Sequence, residues 1–244
     1  MLDRLFDAVF PKRCAGCGSG AWPFCPSCHA GLTALAPPWC LRCGFPSARD
    51  VPTCRQCPPS EIDVARSPFL FRGPARRAVH RLKFSGWRAV AEALGEAMAT
   101  VSPWPADAVT WVPLSRRRLA ERGFDQARAL ALVVGRTTSV QVTALLVRTA
   151  ATAPQAKRGG PERREAMAGV FRVVGPAPPR VLLVDDVLTT GATSAACARA
   201  LRAAGAAEVA LLTAARAVSA PLPDRYTRPG LTPGSVVARE TSSR

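Results

Sequence analysis

One segment of the chain, residues 181–193, constrains its fold more than any other. Four apolar residues end in two adjacent carboxylates, Asp185 and Asp186, and a short loop leads into an alanine-rich helical stretch from Ser194 to Ala204. The loop contains Thr189, Thr190, Gly191, Ala192 and Thr193. An apolar strand followed by a small-residue loop and a helix is typical of parallel α/β sheets, in which ligands bind at the carboxyl ends of the strands.

The residue types in this loop predict a sugar-phosphate site. Backbone N–H groups and the dipole at a helix N-terminus favour an anion, and the three threonine hydroxyls add hydrogen-bond donors without bulk. Gly191 lets the backbone approach a phosphate closely. Asp185 and Asp186 are expected above that pocket, where a ribose diol or its magnesium needs acceptor oxygens. The alternative is a doubly wound sheet that carries acids at a strand end for another reason.

The pattern Asp-Asp-x-x-Thr-Thr-Gly-x-Thr after an apolar strand resembles the signature of type I phosphoribosyltransferases for 5-phosphoribosyl-1-pyrophosphate (PRPP). The resemblance implies a parallel-sheet α/β domain of that type. It also implies that Asp185 and Asp186 hold the ribose hydroxyls, that residues 189–193 hold the 5′-phosphate, and that magnesium accompanies PRPP.

Eight of the nine cysteines form four Cys-x-x-Cys pairs near the start of the chain. The pairs are Cys14/Cys17, Cys25/Cys28, Cys40/Cys43 and Cys54/Cys57. Two such pairs complete a tetrahedral Cys₄ site, so the spacing predicts two structural zinc ions. Sequential pairing is favoured, with the first four cysteines on one ion and the last four on the other, but spacing alone leaves interleaved pairing open. Iron–sulfur or redox dithiol chemistry is the alternative. Cys197 stands apart and is expected to be a small buried residue.

Charge predicts a polyanionic partner. The 244-residue chain has 33 basic and 17 acidic residues and a formal net charge of +16. A surface this basic favours nucleic acid, although a generic basic protein is the alternative. No apolar run is long enough to span a membrane, and residues 1–10 lack the features of a secretory signal, so we expect no membrane insertion and a cytoplasmic location.

Composition divides the chain into three parts. Residues 1–60 form the cysteine-rich metal module, which begins with a short amphipathic helix over residues 2–10. Residues 61–217 alternate strands and helices, which predicts a parallel sheet. Residues 218–244 have little periodicity and are expected to be disordered. Strands are predicted at 64–71, 108–114, 140–147, 170–174, 180–184 and 209–213, helices at 74–83, 89–101 and from a cap at Asp125 to about 134, a mobile loop at 149–160 and a helical turn at 161–167.

Further motifs lie between the cysteines and the PRPP-like segment. They are Leu82-Lys83-Phe84, Val112-Pro113-Leu114, Arg117-Arg118-Leu119-x-Glu121-Arg122-Gly123-Phe124-x-Gln126-Ala127, Thr152-x-Pro154-Gln155 and Arg163-Arg164. This order resembles the ComF family of competence proteins over residues 10–216. The chain departs from the family pattern at Ser115, Asp125, Ala166 and the segment 157–160.

The ComF resemblance implies a double zinc ribbon joined to a phosphoribosyltransferase-like domain. It implies a competence protein that binds PRPP and single-stranded DNA, acts in DNA uptake and natural transformation, and meets other proteins of the competence machinery. Trp22, Phe24, Trp39 and Phe45 are candidates for stacking on bases.

Two other readings of the phosphoribosyl site remain open. The first is an active type I phosphoribosyltransferase that transfers phosphoribose to a nucleobase or another acceptor, with magnesium and Arg117 or Arg118 stabilising the leaving pyrophosphate. The second is a PRPP-sensing regulator without chemistry, since the fold can lose activity and keep its ligand.

Overall fold

The computed structural model of the chain describes residues 13–84, 89–149, 169–218, 220–223 and 226. The predicted amphipathic helix at 2–10, the mobile loop beyond residue 149, the helical turn at 161–167 and most of the predicted disordered tail lie outside the described residues. No helix within the described ranges combines the length and the apolar composition needed to cross a bilayer.

Strands and helices alternate along the chain after the cysteine-rich module. In chain order the elements are α1 (Pro26–Ala30), β1 (Val64–Arg66), β2 (Phe69–Leu70), α2 (Gly73–Phe84), α3 (Val90–Ala99), β3 (Ala108–Trp111), α4 (Arg116–Arg122), α5 (Gln126–Thr138), β4 (Leu146–Arg148), β5 (Phe171–Val173), β6 (Arg180–Leu188), α6 (Ala192–Ala203) and β7 (Glu208–Arg216).

The core is a five-stranded parallel sheet, as the alternation of elements predicted. Strand β7 pairs with β1 and β2 on one side and with β6 on the other, and β6 also pairs with β3. Helices α2, α3 and α5 contribute to the apolar core on one face, and α6 contributes to the core on the other. The α/β fold class is therefore confirmed.

The predicted first strand, residues 64–71, is divided into β1 and β2. Pro68 lies between them and has no backbone N–H to donate, which interrupts the pairing with β7. The Ser67 hydroxyl lies 2.6 Å from the Thr213 hydroxyl in a buried contact, so the gap in the strand is bridged by side chains.

Strand β6 is longer than the apolar run predicts. It continues through Asp185 and Asp186 to Leu188, because β7 extends beside it as far as the Leu188–Arg216 pair. The two carboxylates therefore belong to the strand itself and do not follow its end.

Helices α2, α3 and α5 lie close to their predicted positions, and Asp125 caps α5 by accepting from the Arg128 N–H at 3.1 Å. Helix α4 was not predicted. Its first turn is capped by the Ser115 hydroxyl, which accepts from the Arg118 N–H at 3.3 Å. Of the strand predicted at 140–147, only the last two residues lie in a strand, β4, whereas the strand predicted at 170–174 contains β5. Strands β4 and β5 pair antiparallel outside the main sheet.

The eight paired cysteines form two clusters, with the sequential grouping that the sequence favoured. Cys14, Cys17, Cys25 and Cys28 form the first cluster, and Cys40, Cys43, Cys54 and Cys57 form the second. Sulfur–sulfur distances are 3.7 Å for Cys17–Cys25 and 3.5 Å for Cys40–Cys57. A tetrahedral zinc with Zn–S bonds of about 2.3 Å has edges of about 3.8 Å, so both clusters fit structural zinc.

Arginines of the α/β domain hold each cluster by hydrogen bonds to backbone carbonyls. From α2, Arg77 donates to the Gly16 carbonyl at 2.8 Å and Arg81 donates to the Cys17 carbonyl at 2.7 Å. From β7, the buried Arg216 donates to the Cys43 carbonyl at 2.6 Å. The first cluster is thus tied to α2 and the second to the end of β7.

One residue of the predicted disordered tail has a defined place. Tyr226 is buried against Leu35 and Leu70, and its hydroxyl accepts from the Ala36 N–H at 3.0 Å. The tail boundary at residue 218 stays a prediction for the residues beyond this contact.

Replacement of Cys14 by serine should remove one zinc ion and leave the other. The Cys14→Ser variant loses one of four thiolates in the first cluster only, so the zinc content is expected to fall from two ions per chain to one. Metal analysis of the purified protein measures this. Cys197→Ala is the matched control, because Cys197 lies in neither cluster and should leave both ions bound. A Cys14→Ser protein with two zinc ions would contradict the grouping.

Candidate functional site

The two carboxylates of β6 lie in the middle of the sheet, between β3 and β7. Asp186 is 6% exposed and is held on the side of α2 and α5. Asp185 is paired in register with Thr213 of β7. Two adjacent acids at this depth need partners, because burial disfavours the charged form of a carboxyl group.

The partners of Asp186 are Lys83 and Gln126. The Lys83 ammonium lies 2.6 Å from one carboxylate oxygen, and the Gln126 amide nitrogen donates to the other at 3.1 Å. Gln126 is 3% exposed, and its Oε1 has no hydrogen-bond partner among the described residues. An acceptor without a donor therefore lies beside the carboxylate.

Sequence reasoning did not place Lys83 and Gln126 in the site. Lys83 ends the Leu82-Lys83-Phe84 motif, and Gln126 ends the Gly-Phe-x-Gln motif that begins at Gly123. Both motifs were part of the ComF resemblance, and this was the signal in the sequence that could have identified the two residues. The contact with Asp186 could not be read from spacing, because it depends on how α2 and α5 pack on the sheet.

Asp185 is held in an unfavourable environment. Its Oδ1 accepts from the Asp186 N–H at 2.8 Å. Burial, and next the charge of Asp186, raise the pKa of Asp185 to about 8. The carboxyl group is therefore suited to a site in which a hydroxyl or a cation replaces the missing solvation.

The predicted phosphate loop follows β6 and ends at α6. Thr189 and Thr190 are exposed, and Gly191 adopts a left-handed conformation with φ of 75° directly before the helix. Gly191 offers no side-chain cap to α6, and the Ala192 N–H meets only the Thr190 hydroxyl, at 3.4 Å. The helix N-terminus thus keeps N–H donors directed at the loop, which suits an anion.

Gly191 is required for a second reason. A Cβ at this position would lie 2.9 Å from the Pro58 Cβ and 3.3 Å from the Pro59 Cδ. These two prolines follow Cys57, so the segment that leaves the second zinc cluster packs directly on the loop.

Arg117 and Arg118 lie in α4, which begins five residues after the end of β3. The Arg117 side chain is 87% exposed, and its guanidinium pairs with Glu121 at 2.7 Å. Arg118 lies near enough to Arg148 for its charge to lower the pKa of Arg148, after the larger effect of burial. Among the described residues, neither arginine pairs with Asp185 or Asp186.

The donor set fits magnesium, which binds in proteins through one or two carboxylates together with substrate phosphates and water. Asp185 and Asp186 supply the carboxylates, and Lys83 already balances one negative charge. An ion here would be shared with a phosphorylated ligand.

The four ribbon aromatics that were candidates for base stacking each contact other residues of the protein, and their role in stacking stays a prediction. The Arg66 guanidinium lies 5.0 Å from the Trp39 ring centre, and that of Arg216 lies 5.4 Å from the ring of the buried Phe45. Trp22 and Phe24 pack against the main core.

An amide at position 185 should stabilise the protein without ligand. Because the folded-state pKa of Asp185 is raised to about 8 and the unfolded value is about 3.9, wild-type stability falls as the pH rises between these values. Asp185→Asn does not ionise and can still accept from the Asp186 N–H. We expect it to unfold at a Tm higher by at least about 2 °C at pH 8.5, with the difference shrinking towards pH 4. A Tm difference that does not change with pH would contradict the raised pKa.

Comparison with known proteins relates the chain to a zinc ribbon family and to a group of curated proteins that share one name. The family model of a double zinc ribbon domain matches residues 5–58. The DNA utilization protein YhgH of Escherichia coli K12 is 32% identical over 204 residues, which cover 78% of this chain and 88% of the relative. The protein of the same name from Salmonella typhi is 31% identical over 206 residues, covering 77% and 88%.

Two solved structures are also similar to part of the chain. One is described as the allosteric regulatory enzyme of purine biosynthesis, with 24% identity and a TM-score of 0.38, covering 52% of this chain and 26% of that one. The other is glutamine PRPP amidotransferase from B. subtilis, with 25% identity and a TM-score of 0.38, covering 51% and 26%. The chain thus spans about a quarter of the length of each of these enzymes.

The match to YhgH extends over most of both proteins, and the double zinc ribbon lies in the N-terminal part of this chain, as the resemblance implied. The chain therefore belongs to the ComF family.

Proposed function

We propose that the protein binds magnesium–PRPP at residues 185–193 and single-stranded DNA elsewhere on its basic surface, and that it serves DNA uptake and natural transformation in the cytoplasm, together with other proteins of the competence machinery. The observation that carries the proposal is the adjacency of a half-buried and a buried carboxylate, Asp185 and Asp186, to a helix N-terminus without a side-chain cap on one strand–loop–helix unit. DNA binding is proposed because the relatives are named DNA utilization proteins and because the chain has a formal net charge of +16.

Different residues of the proposed site bind different groups of PRPP. The N–H groups at the start of α6 and the hydroxyls of Thr189, Thr190 and Thr193 bind the 5′-phosphate. Asp185 and Asp186 accept hydrogen bonds from the ribose diol. Lys83 and the Gln126 amide nitrogen fix the Asp186 carboxylate. Bound magnesium neutralises the pyrophosphate.

Arg117 and Arg118 complete the proposed site on the side of the pyrophosphate. Both lie on α4, at the carboxyl end of β3, which is the neighbour of β6 in the sheet. Arg117 must exchange its exposed pair with Glu121 for the ligand, and such an exposed pair costs little to break.

Loss of both carboxylates should abolish PRPP binding. In the Asp185→Asn, Asp186→Asn double variant the ribose diol and magnesium lose their acceptors, so calorimetric titration with magnesium–PRPP should show affinity at least about 100-fold weaker, which corresponds to about 1.4 kcal/mol per carboxylate. Asp107→Asn is the matched control, because Asp107 pairs with Arg180 at the opposite end of the same two strands and should bind PRPP normally. Equal affinity in the double variant would refute the site.

Transfer of phosphoribose to an acceptor is the second candidate function. It is favoured by a cavity of about 770 Å³ next to α4, lined by Trp111, Leu114, Phe124 and Leu132 among others. An apolar cavity with a few polar groups is the usual form of a small-molecule site, and a planar nucleobase would fit this one.

A pyrophosphate-release assay separates the two functions. If PRPP is a ligand and not a substrate, the zinc-loaded protein with magnesium, PRPP and a panel of free nucleobases should release pyrophosphate no faster than the Asp185→Asn, Asp186→Asn variant. Release that is faster than in that variant and depends on one base would establish transfer and identify its acceptor.

A further inference from the structure

The outer face of α2 borders a groove that the phosphoribosyl site does not use. The groove has a volume of about 630 Å³, and its lining residues are Gly73, Arg76, Arg77, His80, Arg81 and Phe84. Three of these are arginines, and none of the described lining residues is a carboxylate. The groove is therefore a concentration of positive charge of the kind that attracts phosphates.

The arginines of the groove differ in their attachments. Arg77 and Arg81 donate to carbonyls of the first zinc cluster, at Gly16 and Cys17, so their side chains are held in place. Arg76 is exposed, and no acidic partner of its side chain lies within the described residues. Arg76 is thus the lining residue best placed to meet a phosphate of another molecule.

Phe84 gives the groove an aromatic wall. Its side chain is 67% exposed, the most exposed of the large apolar residues in the described ranges. The ring lies 5.6 Å from the ring of His80, which stacks on Phe71 at 6.2 Å. The Arg122 guanidinium, from α4, lies 5.2 Å from the Phe84 ring centre. The ring is therefore supported from within the protein and remains accessible.

We propose that this groove is the binding surface for single-stranded DNA, with phosphates at Arg76 and a base stacked against Phe84. An accessible ring beside fixed cations is how proteins bind single strands, because every base offers a face for stacking whereas the charges follow the backbone. A duplex hides its base faces and would not use the ring. The inference rests on the proposed DNA function and names the surface that performs it.

The groove and the phosphoribosyl site share the last turn of α2. Lys83, which pairs with Asp186, directly precedes Phe84. Arg122 extends the positive surface from Phe84 to α4. A strand in the groove therefore lies close to the site proposed for PRPP.

Fluorescence anisotropy with a labelled 20-nucleotide oligothymidine tests the surface in full-length, zinc-loaded protein. Phe84→Ala should weaken binding about tenfold by loss of one stacked base, and Phe84→Trp should retain it. Arg76→Gln should reduce the slope of log K against log salt by about 0.7, the value for one phosphate contact on a single strand. An unlabelled duplex of the same length should compete poorly.

Two controls match these changes elsewhere on the surface. Val174→Ala removes an exposed apolar side chain, and Arg172→Gln removes an exposed arginine, both away from the groove. Both should bind the oligonucleotide as the wild type does. Magnesium–PRPP titration of each variant should give wild-type affinity, which shows that the fold is intact.

The outcomes separate this inference from the proposed function. If the wild type binds the oligonucleotide and Phe84→Ala and Arg76→Gln bind it equally well, the groove assignment is wrong and the DNA function stands. If the wild type does not bind at moderate salt, both are wrong, whatever the result with PRPP. Equal competition by the duplex would overturn the stacking role of Phe84.

Discussion

The burial of β6 is the constraint on which the rest of this protein depends. The strand is paired on both edges and covered on both faces, yet it carries two adjacent carboxylates. Their charges are accommodated unequally. Asp186 is neutralised by Lys83 and hydrogen-bonded by Gln126, whereas burial raises the pKa of Asp185. The strand therefore supplies both the centre of the core and two acids with little access to water. A ligand that donates hydrogen bonds to these acids would offset the cost of their burial.

Two elements of the α/β domain each perform two tasks. Helix α2 holds the first zinc cluster through Arg77 and Arg81 and reaches Asp186 through Lys83. Strand β7 aligns β6 and holds the second cluster through Arg216. These arginines donate to backbone carbonyls where the two halves of the protein meet. The ribbons and the sheet are thus connected by hydrogen bonds from both α2 and β7.

Local patterns in the sequence predicted the parallel sheet, the long helices and the two Cys₄ clusters, because each depends on residues close together in the chain. They did not predict the extent of β6, which is set by the length of β7 beside it. They also did not predict the contacts of Asp186, because Lys83 and Gln126 reach it only when α2 and α5 are packed. Helix α4 was missed, since its arginine-rich sequence has no apolar face and none of its residues is buried. The roles of residues 185–193 in binding PRPP remain predictions.

The contact between Gly191 and the prolines after Cys57 makes the shape of the loop at residues 189–193 dependent on the second cysteine cluster. Pro58 and Pro59 pack against Gly191 of that loop, and they directly follow a Cys₄ cluster that fits structural zinc. A chain made during zinc shortage would therefore have a complete strand β6 and an intact pair of acids, but a loop open on one side. In such cells the amount of protein with a complete loop would follow zinc availability, even if the total amount of the protein did not change.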